Sequence, residues 1–257
     1  MRADTTELFD NQALPSFITR RERKKSRAER RKDKQTEPPT HHIRNIEPLT
    51  ENQHLTFDSF EEGKNLLLHG VAGTGKTFIA LWLALDSVLR GETPKPVVII
   101  RSVVPSRDMG FLPGTAEEKS SVYEEPYRAL CAEYTGKSHT YDLMKAEGLI
   151  QFATTSFLRG LTFRDNIIIV DECQNCSGRE LNTIMTRVGE GCRVIFCGDF
   201  RQSDLNNYKD DRDFKNFMDI VHEMPSFASI EFHREDIVRS GLVREYIETM
   251  ERLNIQF

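Results

Sequence analysis

The chain predicts an α/β fold, a mostly parallel sheet with helices on both faces. Three observations carry that expectation. Short apolar runs such as Val97-Val98-Ile99-Ile100 and Ile167-Ile168-Ile169-Val170 lack the alternation of a half-exposed strand and suit strands buried on both faces. These runs alternate with segments of helical character, the pattern of βαβ units. Gly70-Val71-Ala72-Gly73-Thr74-Gly75-Lys76-Thr77 follows one such run and opens a helix, and it has the G-x-x-x-x-G-K-[ST] spacing of a phosphate-binding loop.

Taken in order, the elements read as follows. Residues 1–45 lack hydrophobic periodicity and contain a basic block. Between Arg20 and Lys34 ten lysines and arginines face three acids, a balance of +7. The chain's net charge is −5, so the remainder carries −12. Such a segment reads as a tail, either a nucleic-acid-binding arm or a solubilising extension. His41-His42 falls in it and is read as inert. Thr50-Glu51-Asn52-Gln53 has capping-box spacing and starts a helix to about Glu62. Asn65–His69 is a strand, and the helix from Phe78 runs until Gly91 stops it. Strands follow at Val97–Arg101, Leu149–Ala153, Ile167–Val170, Arg193–Cys197 and Ala228–Phe232. Helices follow at Ala116–Tyr134, Thr140–Glu147, Gly178–Val188, Asp213–Glu223 and Leu242–Leu253.

No apolar run reaches the length of a membrane span, and no apolar segment follows the N-terminal charges. Five cysteines, an odd number, suit a reducing compartment, so a cytoplasmic location is expected. Cys173-Gln-Asn-Cys176 with Cys192 and Cys197 would allow a zinc site to be drawn. Cys197 ends a buried strand and Cys173 lies inside an acidic motif, which favours ordinary core thiols.

The chemistry expected at the loop is specific. The backbone N–H groups of residues 70–77 converge on phosphate oxygens at the positive end of the following helix. Lys76 reaches the β/γ-phosphates, and Thr77 offers a hydroxyl to Mg²⁺. Asp171, after four apolar residues, stands at a strand tip as the second metal-binding oxygen. Glu172 is suited to act as general base toward the attacking water. In Gly198-Asp199-Phe200-Arg201-Gln202, Gln202 could orient that water or sense the γ-phosphate, and Asp199 could hold the loop. No guanine-reading [NT]-K-x-D motif occurs, and the Gln53 amide could pair with adenine, so ATP is favoured over GTP.

Together HGVAGTGKT, RSVVPSRDMGFLPG from Arg101, SFLRGLTF from Ser156, IIIVDECQN, GDFRQSDL and DIVRSGLV from Asp236 resemble the PhoH family of ATPases, over roughly residues 48–257. Cys173 stands where the family pattern has alanine. The resemblance implies a single RecA-like P-loop NTPase domain, residues 46–257, related to superfamily-1 helicases. It further implies a nucleic-acid-linked ATPase, reported in some members as a helicase and thought to form hexameric rings. The PIN nuclease domain of some relatives has no counterpart in the sequence. Arg101, Arg159 and Thr162 match segments that face nucleic acid in helicase cores. About 210 residues suffice for one motor lobe, so an arginine finger is expected from a neighbouring subunit. Arg239 is the nominee, with Arg187 and Arg234 as lesser candidates. Two rival functions remain: a nucleic-acid-binding protein switched by ATP with little turnover, and a small-molecule P-loop kinase.

Overall fold

A computed structural model describes residues 41–91, 95–102, 116–155, 158, 162–199 and 208–253. The α/β expectation holds. Six strands, β1 (Asn65–Gly70), β2 (Val97–Arg101), β3 (Ile150–Thr154), β4 (Ile167–Asp171), β5 (Arg193–Gly198) and β6 (Phe227–Phe232), form one sheet in the order β3-β2-β4-β5-β1-β6. Every pairing between these strands is parallel. The helices are α1 (Glu51–Glu61), α2 (Lys76–Arg90), α3 (Ala116–Thr135), α4 (Thr140–Ala146), α5 (Gly178–Met185), α6 (Tyr208–Glu223) and α7 (Gly241–Arg252).

Side chains on a strand alternate between faces, so each apolar run feeds two cores. Leu66 and Leu68 of β1, Ile99 of β2, Ile169 of β4 and Ile195 of β5 pack with Leu81, Leu85 and Tyr134 of α2 and α3. Leu67, Ile100, Ile168 and Phe196 face the other way, against Leu181 and Ile184 of α5 and Phe217 of α6. The continuous hydrophobicity of these strands thus has a direct cause: both faces are covered.

Several boundaries shift. The α5 helix ends at Met185, three residues before the expected Val188, while α6 begins at Tyr208 rather than Asp213. The folded body also begins earlier than residue 46. Ile43 is buried in the first core, the Arg44 N–H donates to Tyr134 O, and the Trp82 indole N–H donates to Arg44 O at 2.9 Å. His41 is not inert: its Nε2 lies 2.6 Å from Glu147 Oε2. Among the described residues no helix is long and apolar enough to cross a membrane.

Two expectations about stability follow. Gly70 has φ 111°, and a Cβ there would lie 2.1 Å from the Phe232 carbonyl oxygen. Gly63 has φ 85° with nothing within 4 Å of its virtual Cβ. Both alanine variants carry left-handed strain, about 1–2 kcal/mol. Only Gly70→Ala must also push β1 off β6, so urea unfolding should show a clearly larger loss for it; equal losses would refute the close approach. His69 is buried in β1 and its pKa is lowered to about 4, first by burial and further by His222, Lys76 and His233, against an upward pull from Glu231. Its folded pKa lies below the unfolded 6.5, so the unfolded chain binds more protons between those values. Stability should therefore fall as pH drops from 6.5 toward 4 and level off below, and His69→Gln should flatten that slope in unfolding measurements.

Candidate functional site

Three strand ends and one helix start build the site. At Gly70 the chain leaves β1, turns through Gly73 at φ 78° and enters α2 at Gly75, the N-cap, whose φ is 86°. No side chain caps this helix and no acid sits in its first turn. The first amides of α2 are thus not committed to a side-chain cap, which is what an anion-binding helix end requires. The Lys76 ammonium curls into the loop, donating to Gly70 O at 2.8 Å and Val71 O at 2.7 Å. Burial lowers its pKa, with Asp199, Cys197, Glu172 and Asp171 pulling it back up.

Thr77, on the first turn of α2, donates its hydroxyl to Asp171 Oδ1 at 2.8 Å. The other Asp171 oxygen accepts from Tyr127 Oη of α3 at 2.7 Å. Asp171 is 4% exposed. Burial raises its pKa, the neighbouring Glu172 raises it further, and the two hydroxyl donors and Arg101 oppose them. Tyr127 was absent from the sequence reading. It lies on a helix 44 residues from its partner, and no local pattern marks it.

Glu172 holds a left-handed conformation, φ 52° and ψ 43°, one of two non-glycine residues with positive φ among those described. Such outliers concentrate where function demands an orientation that the backbone resists. Gln174 Nε2 donates to Glu172 Oε2 at 2.6 Å, and Gln174 Oε1 accepts from the Asp199 N–H at 3.1 Å. That amide couples the tips of β4 and β5. Gly198 makes room for it, because a Cβ there would stand 2.8 Å from Gln174 Oε1.

The other sequence-derived residues divide. The Arg101 side chain is 24% exposed. In register with Asp171 across β2 and β4, its guanidinium hydrogen-bonds Tyr127 and lies 4.0 Å from Glu172. Thr162 is exposed but sits beside Gly189, where β4 and β5 begin, at the opposite end of the sheet from Lys76. Arg159 and Gln202 lie outside the described residues. Gln53 reaches the loop: it is 4% exposed, its Nε2 donates to Thr74 O at 3.1 Å, and its Oε1 accepts from the Leu49 N–H at 2.8 Å. Gln53, Phe57, Gly73, Phe78 and Arg239 line a cleft of about 490 Å³ beside the loop. Arg239, nominated to serve a neighbour, lies against its own chain's loop, its Cγ 3.0 Å from where a Gly73 Cβ would be.

Among the described residues no cluster of three or more His, Cys, Asp or Glu could hold a metal ion, so the four-cysteine zinc alternative is not supported there. Burial pushes the Cys173, Cys176 and Cys197 thiols upward, as expected of inert core residues.

Comparison with known proteins agrees with the residues. The chain is 33% identical over 183 residues to a PhoH-like protein of Synechocystis, covering 71% of this chain and 55% of that one. It is 32% identical over 197 residues to a PhoH-like protein of Bacillus subtilis, covering 74% and 60%. It therefore spans little more than half the length of these curated relatives. The large terminase of a thermophilic bacteriophage, in complex with ADP, aligns at TM-score 0.46 and 12% identity, over 79% of this chain and 50% of that one, a likeness too remote to speak to function. The family described as PhoH-like protein matches residues 45–251, and the chain belongs to it.

Proposed function

We propose that this domain is a Mg²⁺-dependent ATPase whose turnover is coupled to single-stranded RNA or DNA, by translocation or unwinding. The observation that carries the reading is the meeting of Thr77 and Asp171 at the mouth of the glycine loop, 2.8 Å apart. Two hard oxygens beside a phosphate cradle suit Mg²⁺, and Thr77 and Asp171 would hold it. Bound there, the ion would neutralise charge on the β- and γ-phosphate oxygens.

The chain's own residues do the rest. Gly70 to Thr77, with Val71, Ala72, Gly73, Thr74 and Gly75 between them, wrap the phosphates with backbone N–H groups. Lys76 leaves the loop carbonyls for the β/γ-phosphates. Glu172 takes the proton of the attacking water, steered by Gln174. Gln202, four residues past Gly198 in the sequence, would orient the same water. Gln53 keeps one N–H and one lone pair beyond its present bonds, the pair that adenine's N6 and N7 edge needs. Arg101, beside Glu172 and partly exposed, would contact the nucleic acid and carry strand binding to that acid. Self-association into a ring is part of the proposal. Leu242, Tyr246 and Leu253 leave an exposed apolar strip on and just past α7, whose Ile247 packs toward Gly73. An arginine supplied by a neighbour would then be Arg187 or Arg234.

The test is ATP turnover with and without RNA and DNA oligomers. Glu172→Gln should lower turnover by about 10²–10⁴-fold while ATP still binds. Lys76→Ala should weaken binding itself by roughly an order of magnitude or more. Affinity for single strands should decline with salt, with a log–log slope of about −0.7 per phosphate contact. Tight ATP binding with negligible turnover in every condition would favour the switch reading instead.

A further inference from the structure

We propose that Arg239 binds the phosphate chain of the nucleotide held by its own chain, acting in cis rather than across a subunit boundary. The inference rests on the nucleotide site argued above and adds a second cation to it. Four observations support it. The Val238 N–H donates to Gly73 O at 3.3 Å, which lays the segment after β6 directly on the loop. Arg239 Cγ and Nε stand 3.0 and 3.8 Å from the position of a Gly73 Cβ, so the side chain runs over the loop's centre. Arg239 and Gly73 line the same cleft. Arg239 is exposed, and among the described residues no carboxylate pairs with it.

The placement is built rather than incidental. Adjacent residues of α1 hold both halves. Asn52 Nδ2 donates to Asp236 Oδ2 at 2.8 Å, and Asp236 Oδ2 also accepts from the His233 N–H at 2.8 Å, which fixes the turn ahead of Arg239. Gln53 Nε2 meanwhile donates to Thr74 O in the loop. One turn of α1 therefore ties both the strap and the phosphate cradle. Ile247 of α7 reaches within 3.6 Å of the same Gly73 point. A guanidinium offers a planar fork of donors matched to phosphate oxygens, and an unpaired one beside converging amides is placed to use it. Lys76 and Arg239 would then both reach a polyphosphate seated on the loop.

Fluorescent ATP and ADP titrations over a series of protein dilutions test this, alongside turnover of mixed variants. Arg239→Ala should lose about tenfold or more in ATP affinity at every dilution, the size of one charge-assisted phosphate contact. ADP affinity should fall as well, and Arg239→Lys should lie between wild type and Arg239→Ala. An equimolar mixture of Arg239→Ala and Lys76→Ala chains should turn over no faster than the two measured separately. Unchanged ATP affinity at the lowest dilution, or turnover restored by mixing, would each overturn the proposal. Restoration by mixing would leave the nucleotide site intact and move Arg239 to the trans role. A wild-type chain that binds no ATP would overturn both readings.

Discussion

The hydrogen bond from Thr77 to Asp171 is the contact on which the rest of the site depends. It joins the first turn of α2 to the tip of β4 across a sheet in which β5 lies between β1 and β4. The reach is possible because all these strands run parallel and end on one side, the side where ligands bind in such sheets. The tip of β5 is kept bare by Gly198, where Cys173 Sγ and Gln174 Oε1 would stand 2.7 and 2.8 Å from any Cβ. A bulkier residue there would displace the turn that presents Glu172. Tyr127 then secures the junction from a third element, and burial holds its phenol well above the ordinary value, so it remains a neutral donor.

The electrostatics follow from that geometry. Asp171 and Glu172 are consecutive acids at a buried strand tip, and burial makes the charged form of Asp171 expensive. Arg101 and Lys76 lie close by, yet each is itself partly withdrawn from water. A divalent cation at the Thr77–Asp171 pair would relieve the same penalty more directly, because its charge would sit on the oxygens that carry the excess. In the proposed complex the Lys76 ammonium, now bonded to two loop carbonyls, would exchange those bonds for phosphate oxygens.

Much of this was legible in the sequence because it is local. Strand runs, loop and helix starts depend on neighbours a few residues away, and they fall within a few residues of their expected places. The Thr50 cap is instructive: its hydroxyl accepts from the Gln53 N–H as the spacing predicts, but the Gln53 amide bonds Leu49 N–H and Thr74 O instead of closing the box. A side chain able to serve the helix start was taken by the loop. The misses are long-range or directional. Tyr127 reaches Asp171 from a distant helix. Arg101 meets Tyr127 and Glu172 because the register of β2 on β4 sets it beside Asp171. Thr162 lies where β4 and β5 begin because its neighbour Phe163 pairs with the turn at Arg187 and Gly189. None of these depends on spacing, so none could be read from it.

The central claim is that the glycine loop and the tip of β4 bind Mg·ATP as one unit. Amide hydrogen exchange, followed with and without Mg·ATP, tests it most directly. The account predicts coincident protection of residues 70–77 and of the backbone around Asp171 and Glu172, requiring both metal and nucleotide. Protection confined to some other surface, or none at residues 70–77 under saturating Mg·ATP, would contradict it.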